Sequence, residues 1–200
     1  MSLTAHFINH AAAKAAKEAA RRLEVRDWTA RKLAPIAVSL VLHGLRRRTA
    51  TIFGAAALSF TLSKYEEDLI VRTGRRFGDA DVRARGEAFL DRALGRHRLR
   101  SVQAIADLAS IDMRTATAIL AMTAAATLSA LSKARRDLKL GVTQLQGVLK
   151  SESAGIDYAD PRVVKEVRNW VFRPSIFVRL WSRAQALLAP RPAREIALAK

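Results

Sequence analysis

The sequence predicts an all-α protein, a compact multi-helix bundle built from an internal duplication and followed by a C-terminal helical arm. Three observations carry that prediction. Half of the 200 residues are apolar but only 6% are aromatic, so alanine supplies much of the apolar content. Alanine favours closely packed helices over sheets. Apolar residues recur at helical spacing between recognisable caps and turns. The pattern of the first helix pair then returns with a shift of 86 residues.

Taken in order, residues 4–23 form an alanine-rich helix with Phe7, Ala11, Ala15 and Ala19 on one light apolar stripe. The chain turns at Val25, and Asp27 is the expected N-cap of a helix reaching Leu45. Pro35 lies inside that helix, so a kink there, or a start nearer Lys32, is expected. Arg46, Arg47 and Arg48 close it with charge that suits a helix C-terminus. Residues 49–63, with Phe53, Leu58, Phe60 and Leu62, read as a buried helix; their aromatic content leaves a strand as the alternative. Gly74 and Gly78 mark a turn, and a surface helix follows over 81–94, closed by Gly95.

A helix over 99–109 comes next, and Asp112 caps a long helix from Met113 to Ala134. A short helix opening at Gly141 and Thr143 carries Leu145, Val148 and Leu149. Beyond a linker of small and polar residues, Asp160 and Pro161 form a strong helix start. Pro174 ends that helix, and Ser175 caps another that stops before Pro190. The organisation is therefore a first helical unit over 1–63, a connecting segment over 64–98, a second unit over 99–150 and a basic aromatic arm over 151–200.

The repeat aligns Ala20 with Ala106, Val25 with Ile111, Leu33 with Ile119, Ile36 with Met122, Leu42 with Leu128 and Leu45 with Leu131. A short helix, a turn around a β-branched residue and a long helix ending in leucine thus occur twice. The stretch IADLASIDMRTATAILAMTAAATLSALSKARRDLKLGVTQLQGVLKS, with Ile111 at its turn and Leu131, Leu145 and Leu149 at its helix ends, resembles the YidB-like family of small bacterial helical proteins. RRLEVRDWTARKLAPIAVSLVLHGLRR resembles a second copy and holds the proline common in the long helix, Pro35, where the later copy has Ala121. The resemblance spans about residues 16–150. It implies a bacterial helical bundle and no assigned reaction or ligand.

Chemistry leaves few traces. The chain has no cysteine, which excludes disulfides, thiolate metal sites and a cysteine nucleophile. GRRFGDAD lacks the ending of a phosphate loop. His6 and His10 share a helix face, but no third or fourth ligand stands near them in sequence. No metal, cofactor or catalytic residue is assigned, and the chain reads as no enzyme. The longest uncharged run, Thr115–Ser132, is mostly alanine and threonine and reads as a core helix rather than a membrane span. The N-terminus does not read as a signal peptide, and a cytoplasmic location is expected.

The net charge of +17 points instead to partners. It concentrates in two places. Residues 21–48 hold eight basic residues against two acidic ones, and Arg21, Arg22, Arg26, Arg31, Lys32, Arg46, Arg47 and Arg48 are the candidate phosphate contacts. Residues 161–200 hold nine against two, with Trp170, Phe172, Phe177 and Trp181 interleaved with Arg168, Arg173, Arg179 and Arg183. Non-specific nucleic-acid binding through phosphates is the leading expectation. The alternatives are a protein scaffold, including one that pairs with its own copy, and peripheral attachment of the arm to an anionic membrane.

Overall fold

The protein's structure, a computed structural model, describes residues 3–65, 79–152 and 161–173, with side chains from Ile8 onward except at Pro161. Among the described residues every regular element is helical: α1 Leu3–Arg22, α2 Asp27–Arg48, α3 Ile52–Lys64, α4 Ala80–Leu94, α5 Arg98–Ala109, α6 Met113–Asp137, α7 Val142–Glu152 and α8 Pro161–Val171. One 3₁₀ turn, Gly95–His97, joins α4 to α5.

The core is organised around α6. Its buried side includes Ile119, Leu120, Met122, Leu128 and Leu131, with alanines 121, 124, 125 and 126 between them. Such small side chains let neighbouring helices approach closely, and α1, α4, α2 and α5 all pack along α6. Two close approaches of α4 to its neighbours are at glycine. A Cβ on Gly86 would collide with the Ala121 carbonyl of α6, and a Cβ on Gly44 of α2 would lie 2.5 Å from the Ala93 oxygen of α4. Two buried hydroxyls of α6 bond to backbone carbonyls. Thr127 donates to the Thr123 carbonyl at 2.9 Å, and Ser132 reaches the carbonyls of Leu62 (2.9 Å) and Tyr65 (2.7 Å) at the open end of α3. Helix α6 is long and apolar enough to cross a bilayer, yet 78% of that window is buried among the other helices. That is how a core helix behaves.

The 86-residue relation extends to backbone conformation. Helix α2 begins at Asp27 and α6 at Met113. The turns before them hold Glu24 and Ser110 in the left-handed region, at φ 54° and 52°. Each pair aligned by sequence from Leu33/Ile119 to Leu45/Leu131 is buried. The two units interlock, because α1 of the first lies along α6 of the second.

Several details differ from the sequence reading. Asp27 is the first residue of α2, not its cap; Arg26 holds the cap position without a capping side-chain bond, and Asp27 pairs with Arg31 at 2.7 Å. Helix α2 runs unbroken through Pro35. Asp112 does cap α6, accepting from the amides of Arg114 and Thr115 at 2.9 Å each. Helix α4 is more than a surface helix: Val82, Phe89, Leu90 and Leu94 are buried, and its charged residues occupy the other side. Helix α3 is not buried throughout. Ala55, Leu58, Ser59 and Leu62 face the core, whereas Ile52, Phe53 and Phe60 face solvent.

Candidate functional site

The basic residues of the first unit do not form one patch. Helix α2 has 22 residues, about 33 Å at 1.5 Å per residue, and its cations sit at opposite ends. At the N-terminal end most of the charge is already engaged. Arg21 and Arg22 both pair with Glu18, Arg21 at 2.9 Å, and Arg22 also reaches Asp79 at 2.6 Å. Burial works to raise the Glu18 carboxyl, but the hydrogen bonds from the two arginines outweigh it and hold the group below its ordinary value. Arg31 is tied to Asp27, and the Lys32 ammonium lies 5.0 Å above the Trp28 ring. Exposed pairs of this kind contribute only about 0–1 kcal/mol to stability, but each one offsets a positive charge. Arg26 is exposed beside a groove of about 1070 Å³ where the α1–α2 and α5–α6 turns meet.

The C-terminal end of α2 is different. Here Phe172, just past α8, is buried between two histidines: its ring centroid lies 4.6 Å from that of His43 and 5.0 Å from that of His97. The Arg47 guanidinium stands 5.6 Å from the same ring, a cation–π arrangement. His97 Nδ1 is 3.0 Å from the Val171 carbonyl. A carbonyl can only accept, so the proton is on Nδ1 and Nε2 is left to accept from Arg96 at 3.5 Å. Arg100 reaches the Arg173 carbonyl at 3.4 Å. The side chain of Arg48 lies against Gly95, whose positive φ of 51° turns the chain from α4 into α5. Phe172 thereby draws together arginines from three distant stretches: 46–48 on α2, Arg96 and Arg100 beside the 3₁₀ turn, and Arg168 and Arg173 at the end of α8. None of these seven has a carboxylate partner among the described residues, whereas the neighbouring Arg98 is held by Asp91 at 2.7 Å.

The histidines register the resulting field. His43 is pushed down to about 4, first by burial and then by Arg46, Arg168, Arg47 and His97. His97 is also lowered, by burial and by Arg47, Arg96 and Arg100, against the opposing effect of the Val171 carbonyl. Both rings are therefore neutral at pH 7. His43 Nδ1 is buried with no hydrogen-bond partner.

Of the arm residues singled out in sequence, Phe172 is buried, Arg168 is half-buried, and Trp170 and Arg173 are exposed. Phe177, Arg179, Trp181 and Arg183 lie outside the described residues. Sequence reasoning missed His43, His97, Arg96 and Arg100. The run GRHRLR at 95–100 was the available signal, a basic cluster in the connecting segment. His10 is exposed and the His6 side chain is outside the described set; among the described residues no cluster of histidine and carboxylate could hold a metal ion.

A family model described as "bacterial protein of unknown function" (DUF937) matches residues 6–134. The chain belongs to this YidB-like family. The match runs from α1 to the last turn of α6 and thus covers both helix–turn–helix units, including the first, which the likeness in sequence placed from about residue 16. It stops short of α7 and α8, so Phe172, Arg168 and Arg173 are supplied from beyond the matched stretch. No curated protein and no solved structure matches the chain.

Proposed function

We propose that the protein is a non-catalytic binder of nucleic acid that grips the phosphate backbone, without reading sequence, through the arginines gathered around Phe172. The carrying observation is the convergence of Arg46, Arg47, Arg96, Arg100, Arg168 and Arg173 with no carboxylate partner among the described residues. Crowding like charges is unfavourable, and a polyanion relieves it while releasing its own counterions. Base reading is not part of the proposal, because a recognition helix must offer polar groups to base edges and most of α2 is buried. A cytoplasmic site of action goes with this reading.

The test compares two charge-reversal variants by fluorescence anisotropy on labelled duplex and single-stranded DNA of several sequences. Arg47→Glu/Arg100→Glu/Arg168→Glu is expected to weaken binding at least about a hundredfold, equally for every sequence. Arg21→Glu/Arg31→Glu, at the other end of α2, is expected to weaken it far less. Equal losses from the two variants would refute the location, and no binding by the wild type at low salt would refute the function.

A further inference from the structure

Helix α3 is predominantly apolar, with only Ser59, Thr61 and Ser63 polar before Lys64, and such helices are ordinarily buried. Here one face packs on the core through Ala55, Leu58 and Leu62. The other carries Ile52, Phe53, Ala56, Ala57 and Phe60, of which Phe53 is 89%, Ile52 78% and Phe60 60% exposed. At 100° per residue these five fall within one continuous arc, and no charged side chain interrupts it before Lys64. The helix is held rigidly in this attitude. Thr51 caps it by accepting from the Gly54 amide at 3.1 Å, and Gly54 packs against the Arg48 carbonyl with no room for a Cβ.

What lies beside the face identifies what covers it. A cleft of about 500 Å³ runs along its edge, lined by Ala57, Phe60, Arg48, Lys64 and Arg92 among others. The Lys64 ammonium sits 4.4 Å from the Phe60 ring. None of the three cations has a carboxylate partner among the described residues; Glu66, Glu67 and Asp68, next in sequence, lie outside them. An apolar strip with a cationic border complements the surface of an anionic bilayer, whose acyl boundary accepts the strip and whose phosphates meet the border. The helix has 13 residues, about 20 Å, too short to span a membrane and suited to lying in its surface. A second copy is the poorer fit: five side chains fall well short of the 20–30 residues a side, roughly, that a stable interface uses.

We propose that α3 is a membrane-docking face, with Ile52, Phe53 and Phe60 entering the acyl boundary of an anionic bilayer while Arg48, Lys64 and Arg92 hold lipid phosphates in the adjoining cleft. Arg48 borders both surfaces, but the apolar strip, Lys64 and Arg92 stand apart from the other arginines around Phe172, and docking through them does not depend on nucleic-acid binding.

The test is co-sedimentation of the full chain with phosphatidylglycerol vesicles, at low and high salt, for the wild type and for Ile52→Ser/Phe53→Ser/Phe60→Ser. All three positions are exposed, so the variant should melt like the wild type by circular dichroism. Arginine attraction alone is screened by salt. The proposal predicts a salt-resistant part of the wild-type binding that the variant loses by at least about tenfold, with DNA affinity unchanged. Vesicle binding equal in the two proteins, or wild-type binding that salt abolishes entirely, would overturn it. A photo-crosslinking benzophenone at position 53 gives a second readout. Adducts with lipid support the proposal, whereas adducts with another copy, or with the chain's own residues beyond 173, would assign the face to those occupants and overturn it.

Discussion

Replacing Gly86 by alanine tests the helix packing that holds the whole molecule together. The new methyl would overlap the Ala121 carbonyl oxygen and stand 2.9 Å from its carbon and 3.2 Å from the Ala125 methyl. Carbon atoms in favourable contact are about 3.5–4.0 Å apart, so α4 must retreat from α6 by more than about half an ångström. A gap of ~0.5–1 Å forfeits a quarter to a half of each contact along the seam, and that seam contains Val82, Phe89 and Leu90. Overpacking costs about 1–3 kcal/mol; a clash with backbone, which cannot swing aside, belongs at the upper end. Alanine returns about 1 kcal/mol through its better helix propensity. The expected net loss is about 2 kcal/mol, or roughly 4–8 °C in Tm for a chain of this size. Gly147→Ala is the internal control. It lies in α7 with nothing within 4 Å of an added Cβ, so the same substitution should stabilise by up to about 1 kcal/mol. Urea unfolding followed by circular dichroism gives both values. A Gly86→Ala protein as stable as the wild type would refute the α4–α6 contact.

Three further outcomes follow from particular groups. His43 stays neutral in the folded protein down to about pH 4, whereas in the unfolded chain it takes a proton near pH 6.5. The unfolded state therefore binds more protons throughout that window, and stability falls as pH drops from about 6.5 toward 4. His43→Phe, which keeps a ring against Phe172 and removes the unpartnered Nδ1, should flatten the decline between pH 7 and 5. Parallel urea midpoints for the two proteins across that range would contradict the assignment. Asp112→Ala removes two amide bonds at the start of the central helix and should cost about 1 kcal/mol in the same assay; an unchanged midpoint would show the cap to be idle. Phe172→Ala should release the end of α8 and, by dispersing Arg168 and Arg173 from the α2 arginines, weaken DNA binding along with stability. A variant that loses stability but keeps full affinity would detach the arm from the site.

The fold was legible because local signals and core packing agree. Asp112, Gly95 and Pro161 mark helix boundaries where the sequence places them, and the leucines aligned across the repeat are buried in both units. Periodicity could not tell which apolar helix keeps one face exposed. The run from Ile52 to Lys64 has a largely apolar character that ordinarily marks burial, and only the assembled structure shows that Ile52, Phe53 and Phe60 are left exposed among the described residues. The opposite error befell α4, whose arginines and glutamate suggest a surface helix while Gly86, a residue with no side chain to count as apolar, packs directly against the α6 backbone. The basic site was half legible. Arg46–48 and Arg168–Arg173 each stand out as charge runs, but their meeting depends on Phe172 slotting between His43 and His97, a contact among residues dozens of positions apart. Conversely, Arg21, Arg22 and Arg31 look equally available in sequence and are engaged by Glu18, Asp79 and Asp27 once the chain folds.

The salt dependence of DNA binding tests the central claim most directly. If six arginines around Phe172 meet phosphates, log affinity should fall linearly with log salt at a slope near −5 on duplex DNA, about 0.9 per phosphate neutralised. The slope should be shallower by about 3 in the Arg47→Glu/Arg100→Glu/Arg168→Glu variant. A wild-type slope near zero, or one that this variant leaves unchanged, would contradict the account.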